Sequence, residues 1–180
     1  MESRAKLLGH AIHPMLIVFP LGLLGMAAIF DVIYLATGVR ELVTASYWMI
    51  AAGVVTGLLA AVFGFWDWLA IPSETRAKKV GLLHGAGNVV VVSLFVVAWL
   101  LRLDGRAGAG EHAPDGLPVV IEILGLLLAL VSGWLGGELV ERLGVGVDQG
   151  AHLQAPSSLS TSSGLALDKP AKRSAPRRVA

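Results

Sequence analysis

The chain has 180 residues, of which 55% are hydrophobic and only 15% charged, whereas an average soluble domain is about 25% charged. A mean hydropathy of +0.72, with long uncharged runs between the charged residues, excludes a soluble globular domain. The net charge of +1 conceals an asymmetry, because Lys169, Lys172, Arg173, Arg177 and Arg178 all follow the last acid, Asp168. Without cysteine there is no disulfide framework, thiolate metal site or cysteine nucleophile, so any metal must be held by His and carboxylate.

A spanning helix needs roughly 20 mostly apolar residues to cross about 30 Å of hydrocarbon. Four runs qualify. The first, 14–36, opens on Pro14, which suits a first helical position, and carries only Asp31 near its far end. The second, 48–69, is uncharged until Asp67, and the third, 80–101, is closed by Arg102. The fourth, 117–140, contains Glu122 and Glu138 and spans only if both lie at interfaces. Arg4 and Lys6 before the first run imitate the start of a signal peptide, but the run is too long for a signal core and has no small-residue cleavage site before Asp31.

Lys and Arg near span ends are retained in the cytoplasm. Arg4, Lys6, Arg76, Lys78, Lys79 and Arg142 fall on the side of the termini, against Arg40, Arg102 and Arg106 on the other, so both termini are expected to be cytoplasmic. Tyr34, Tyr47, Trp48 and Trp99 mark one interface, and Trp66, Trp68 and Trp134 the other, as amphipathic rings prefer the headgroup level. The expected fold is an all-α integral membrane protein, an up-down four-transmembrane-helix bundle over 1–143. Residues 144–180, rich in Ser, Ala, Pro and Gly, read as a disordered, basic, cytoplasmic C-terminal tail.

Spanning helices associate through close packing of small residues at four-residue spacing. Gly53 with Gly57, Ala60 with Gly64, Gly81 with Gly85, and Gly133 with Gly137 supply that pattern. An internal repeat is also suggested, since the first and third spans open on His13 and His84 while the second and fourth close on Asp67 and Glu138.

This topology gathers His10, His13, Asp67, His84, Asn88 and Glu138 at the cytoplasmic ends of the helices. Ionisable residues within a span usually face the bundle interior, find a partner and mark a function. His10, His13 and His84 are candidate axial ligands for haem b, and His13, Asp67 and His84 a candidate metal set, with Asn88 and Glu138 supporting. A titrating proton or ion path, or mere helix capping in a structural scaffold, accounts for the same residues. Across the membrane, Asp31 or Glu122 is expected to pair with Arg40 or Arg102 in a snorkelling, structural arrangement. No nucleotide loop, nucleophile elbow or zinc-protease helix is present, and nothing points to an enzyme or to nucleic acid.

The stretch from Gly9 to Gly22, opening Gly-His-Ala-Ile-His-Pro, resembles a bacterial membrane-protein family catalogued as domain of unknown function 2231. Gly64-Phe65-Trp66-Asp67-Trp68, His84 with Asn88, and Gly133-Trp134-Leu135-Gly136-Gly137-Glu138 follow that family's pattern in order. The resemblance implies a four-helix inner-membrane domain without an assigned activity, some relatives being joined to Rieske or cytochrome-type redox domains. Ala11 stands where relatives often have proline, and Leu143 where they often have histidine, which removes one candidate ligand. The functional expectation is a small inner-membrane module, accessory to a redox or respiratory partner through a haem or metal. A proton-linked or ion-conducting module is the alternative, and the expected contacts are the lipid bilayer, a redox partner or a second copy.

Overall fold

The structure is a computed structural model and describes residues 1–103 and 111–160. Asp104, Arg106 and the basic stretch from 161 onward lie outside the described residues. A short hairpin comes first, with β1 (Lys6–Leu7) paired antiparallel to β2 (His10–Ala11). Its two-residue turn puts Leu8 at φ 51° and Gly9 at φ 85°, the left-handed pair that matches strand twist in a tight hairpin.

The first span, Ile12–Thr37, is divided into α1 (Ile12–Leu16) and α2 (Val18–Thr37). Pro20 has no N–H to give back to the preceding turn, so the ladder is interrupted just before it. Gly38 at φ 74° ends α2 by donating to the Tyr34 carbonyl, 2.7 Å away, the left-handed stop that glycine adopts without strain. α3 (Glu41–Ala70) begins earlier than the expected 48, because only a three-residue turn separates it from α2. α4 (Arg76–Leu100) is capped by Thr75 Oγ1, which accepts from Lys78 N, and α5 (Gly116–Gly137) by the Asp115 side chain accepting from Leu117 N. A π-helical turn, Glu138–Arg142, extends α5.

Four helices are therefore long and apolar enough to cross a membrane. α2 packs most closely on α3 and α4 on α5, while α3 against α4 and α2 against α5 close the ring. Inside sit Leu24, Ala27, Ile50, Val91 and Phe95. Outside, residues such as Val55, Leu58, Leu83, Val89, Leu127 and Leu130 are exposed, so the bundle is apolar on both faces, as contact with lipid requires.

The two hairpins repeat each other. Gly53 lets Leu24 approach so closely that a Cβ there would lie 2.5 Å from it, and Gly125 does the same for Phe95 at 2.9 Å. His13 and His84, Leu24 and Phe95, and Asp31 and Arg102 share one spacing, 71 residues. On α3 and α5 the spacing is one residue longer, matching Gly53 with Gly125, Ala60 with Ser132 and Gly64 with Gly136. Leu139 thus corresponds to Asp67, and the suggested equivalence of Asp67 with Glu138 does not hold. Nor do Gly133 and Gly137 make a packing notch, since nothing lies within 4 Å of a Cβ at either. Ser132 and Gly136 face the neighbouring helix instead.

Residues 144–160 turn back on the N-terminus. Gly144 and Gly146, both at positive φ, redirect the chain so that the Met1 ammonium donates to the Gly144 carbonyl at 2.6 Å and Gly146 N to the Met1 carbonyl at 2.8 Å.

Candidate functional site

His13 and His84 meet between the helices, their ring centroids 6.4 Å apart and their planes at 89°. Each is anchored in the same way by the second helix of its own hairpin. His13 Nδ1 lies 2.9 Å from the Ala60 carbonyl and His84 Nδ1 2.8 Å from the Ser132 carbonyl. A carbonyl only accepts, so both Nδ1 atoms carry hydrogen and Nε2 is left as the titratable nitrogen. Glycine makes the space. A Cβ at Gly64 would stand 2.9 Å from the His13 ring, and one at Gly136 3.1 Å from the His84 ring.

His84 has further partners. Asn88, one turn on along α4, donates from Nδ2 to His84 Nε2 at 3.1 Å, and its Oδ1 accepts from Ser132 Oγ at 2.9 Å. Ser132 is a residue that sequence reasoning missed, although it is the single hydroxyl of the fourth span.

The other predicted residues go elsewhere. His10 lies on β2, exposed, with Nε2 3.2 Å from Ser158 Oγ. The helix begins only at Ile12, so His10 does not share its face with His13. Asp67 is engaged by the N-terminal segment: it accepts from Ser3 Oγ at 2.6 Å, Arg4 N at 2.7 Å and Ala5 N at 3.2 Å. Glu138 pairs with Arg76 at 2.6 Å. Among the described residues no group of three or more His, Asp or Glu is placed to hold a metal ion. The His13, Asp67 and His84 set is not assembled, because the backbone N–H groups of Arg4 and Ala5 occupy the carboxylate.

At the other end of the bundle the snorkelling arrangement is replaced by a buried one. Arg102 is 1% exposed, and Asp31, Ser46 and Glu122 are not exposed at all. Arg102 Nη1 lies 2.6 Å from Asp31 Oδ2, while its Nε donates to the His112 carbonyl at 2.9 Å and its Nη2 to the Val43 carbonyl at 3.2 Å and Ser46 Oγ at 2.9 Å. The Ser46 hydroxyl also donates to Asp31 Oδ1. The His112 ring, which sequence reasoning left without a role, stacks on Tyr47 at 3.9 Å. A signal was available in the sequence, since Asp31 and Arg102 share the spacing of His13 and His84.

Residues 9–149 match the model of a family described as "Predicted membrane protein (DUF2231)". The chain belongs to this family. No curated protein and no solved structure matches it. The DUF2231 region takes in both polar layers, the imidazole pair at one end and the Asp31–Arg102 cluster at the other. Between them along the helices lies the apolar core of Leu24, Ala27, Ile50, Val91 and Phe95. The DUF2231 bundle thus carries two polar layers separated by hydrocarbon side chains. Chemically, the first layer offers two imidazoles whose Nδ1 atoms are held by carbonyls; the second offers carboxyls sharing one guanidinium.

Proposed function

We propose that this chain is a small bacterial inner-membrane accessory module that takes up and releases a proton at the His13–His84 pair, on the face that carries both termini, for a membrane redox partner. The observation that carries the reading is the pair itself: two imidazoles in edge contact at 6.4 Å, each with Nδ1 held by a backbone carbonyl. The pair accepts one proton more readily than two, because two imidazolium ions so close repel. Asn88 and Ser132 form the relay that accommodates it. The Asn88 amide donates to unprotonated His84 Nε2, and turning it over presents an acceptor to a protonated one. The apolar core supports exchange with one side over conduction through the bundle. The cytoplasmic placing of the termini rests on the positive residues around them, and the redox partner on the resemblance alone.

Potentiometric titration of the purified chain in lipid nanodiscs tests this. Wild type should take up about one proton more per chain than the His13→Gln, His84→Gln double variant, since the other three histidines are common to both. Equal uptake by wild type and double variant would sink the reading.

A haem or metal at the same pair is a second reading. It is favoured by the Nδ1-to-carbonyl bonds, the arrangement that orients metal-ligating histidines, and opposed by the Asn88 donor on His84 Nε2. A Soret band or stoichiometric metal in protein grown with iron and haem precursor would establish it.

A further inference from the structure

Glu122 has no counterpart in the first hairpin. The corresponding position is Ile50, a fully buried member of the apolar core. Yet Glu122 carries a carboxyl with no solvent exposure, and among the described residues no hydrogen-bond donor meets either of its oxygens, which lie against the Asp31 carboxyl. Its nearest cation is Arg102, whose Nη1 is 3.6 Å from Glu122 Oε1 and is already committed to Asp31 at 2.6 Å. The cluster therefore sets one guanidinium against two carboxyl groups. A second full negative charge removed from water costs several kcal/mol unless something neutralises it.

We propose that Glu122 is a second proton-binding site, separate from the imidazole pair and at the opposite end of the bundle. The occupant is a proton and not a metal cation, because hard cations collect six or more oxygens and the cluster cannot supply them. Asp31 already accepts from Ser46 and Arg102, the Val43 and His112 carbonyls accept from Arg102, and among the described residues the two Glu122 oxygens face no more than Arg102 and the Asp31 carboxyl. On binding, a proton leaves a water or buffer molecule and an O–H bond forms at Glu122; on release the bond breaks and the same acceptor takes the proton back. Arg102, between the two carboxyls, can then turn toward ionised Glu122 without leaving Asp31. The ionisable groups around the site among the described residues are Asp31 from α2, Tyr47 from α3, Arg102 at the end of α4, and His112, whose ring pairs with Glu111 at 3.5 Å. The position has hydrocarbon in one hairpin, Ile50, and an acid in the other.

Infrared difference spectroscopy of the full chain in lipid nanodiscs, recorded across a pH series, tests the proposal. The expected result is a carbonyl band of a protonated carboxyl that appears and disappears reversibly with pH. It should be lost in Glu122→Gln and retained in the His13→Gln, His84→Gln variant, so that failure of the imidazole reading leaves it untouched. If Glu122→Gln does not fold, Glu122→Asp decides instead, since the band must persist at a shifted frequency. A wild-type spectrum without a titrating carboxyl band, or a band that survives Glu122→Gln or is unmoved by Glu122→Asp, overturns the proposal.

Discussion

Asp31 and Arg102 hold corresponding places in the two hairpins and pair with each other, Oδ2 to Nη1 at 2.6 Å, with neither side chain exposed. A repeated acid or a repeated arginine at these places would put like charge against like in a dry interior. Asp in one hairpin and Arg in the other make that contact an ion pair. His13 and His84 stand in the same relation with their identity kept, which a titratable ring tolerates and a fixed charge does not.

Removing one partner of a buried pair strands the other. Arg102→Met should destabilise the bundle by about 3–5 kcal/mol, because Asp31 and Glu122 are left without a cation. Asp31→Asn should cost less, since Glu122 remains 3.6 Å from the guanidinium. Reversible unfolding in detergent measures both, and equal small costs would argue against a shared guanidinium.

The glycines that admit the imidazoles should be sensitive and their neighbours indifferent. Gly64→Ala and Gly136→Ala place a methyl about 3 Å from a ring, an overpacking that typically costs 1–3 kcal/mol. Gly133→Ala meets nothing within 4 Å and should be neutral or slightly stabilising, as alanine is preferred to glycine within a helix by roughly 0.5–1 kcal/mol. The same unfolding assay separates the two classes.

The N-terminal segment is held by Asp67 and by the chain after Gly144, and its outer part depends on pH. The Lys6 ammonium, hydrogen-bonded at 2.6 Å, holds the Glu2 carboxyl below its ordinary 4.5, and the same bond raises Lys6 above its ordinary 10.5. The Glu2 contribution is thus present above 4.5 and lost as pH falls through its lowered value; the Lys6 contribution is present below 10.5 and lost as pH rises through its raised one. The amide resonance of Gln149, which donates to Glu2, should be steady between those limits and move at both. Asp67→Asn should speed tryptic cleavage after Arg4 and Lys6, with about 1 kcal/mol lost for each weakened hydrogen bond.

Topology can be read with single cysteines, because the chain has none of its own. Cysteine at Ser73 or Ser157, both exposed, should be shielded from an impermeant thiol reagent in intact cells, while cysteine at Glu111, on the opposite side, should react. Ser3 is a poor reporter, being 7% exposed and bonded to Asp67. Labelling at Ser73 from outside would reverse the orientation.

The four spans were legible because uncharged length is a one-dimensional signal, and the up-down order followed from the short connections. The approach of His13 to His84 was legible in part, since both open a span. What escaped reading depends on rotation about the helix axis and on chain folding outside the bilayer. Asp67 looked like a ligand because it lies at the depth of the histidines, but depth says nothing of the N–H groups that the N-terminal segment brings to it. His10 looked helical until Leu8 and Gly9 turned the chain. Glu122 looked interfacial because a carboxyl so near a helix start ordinarily reaches water; α5 instead turns it toward Arg102.

The central claim, that the paired imidazoles exchange a proton, is tested most directly by nitrogen-15 magnetic resonance of histidine-labelled protein in lipid. For both His13 and His84, Nδ1 should stay protonated at every pH, as its carbonyl partner requires, while Nε2 gains and loses the proton. The two titrations should be coupled, so that His13→Gln alters the His84 curve. Two rings whose Nε2 signals do not change with pH, or that titrate without regard to each other, would contradict it.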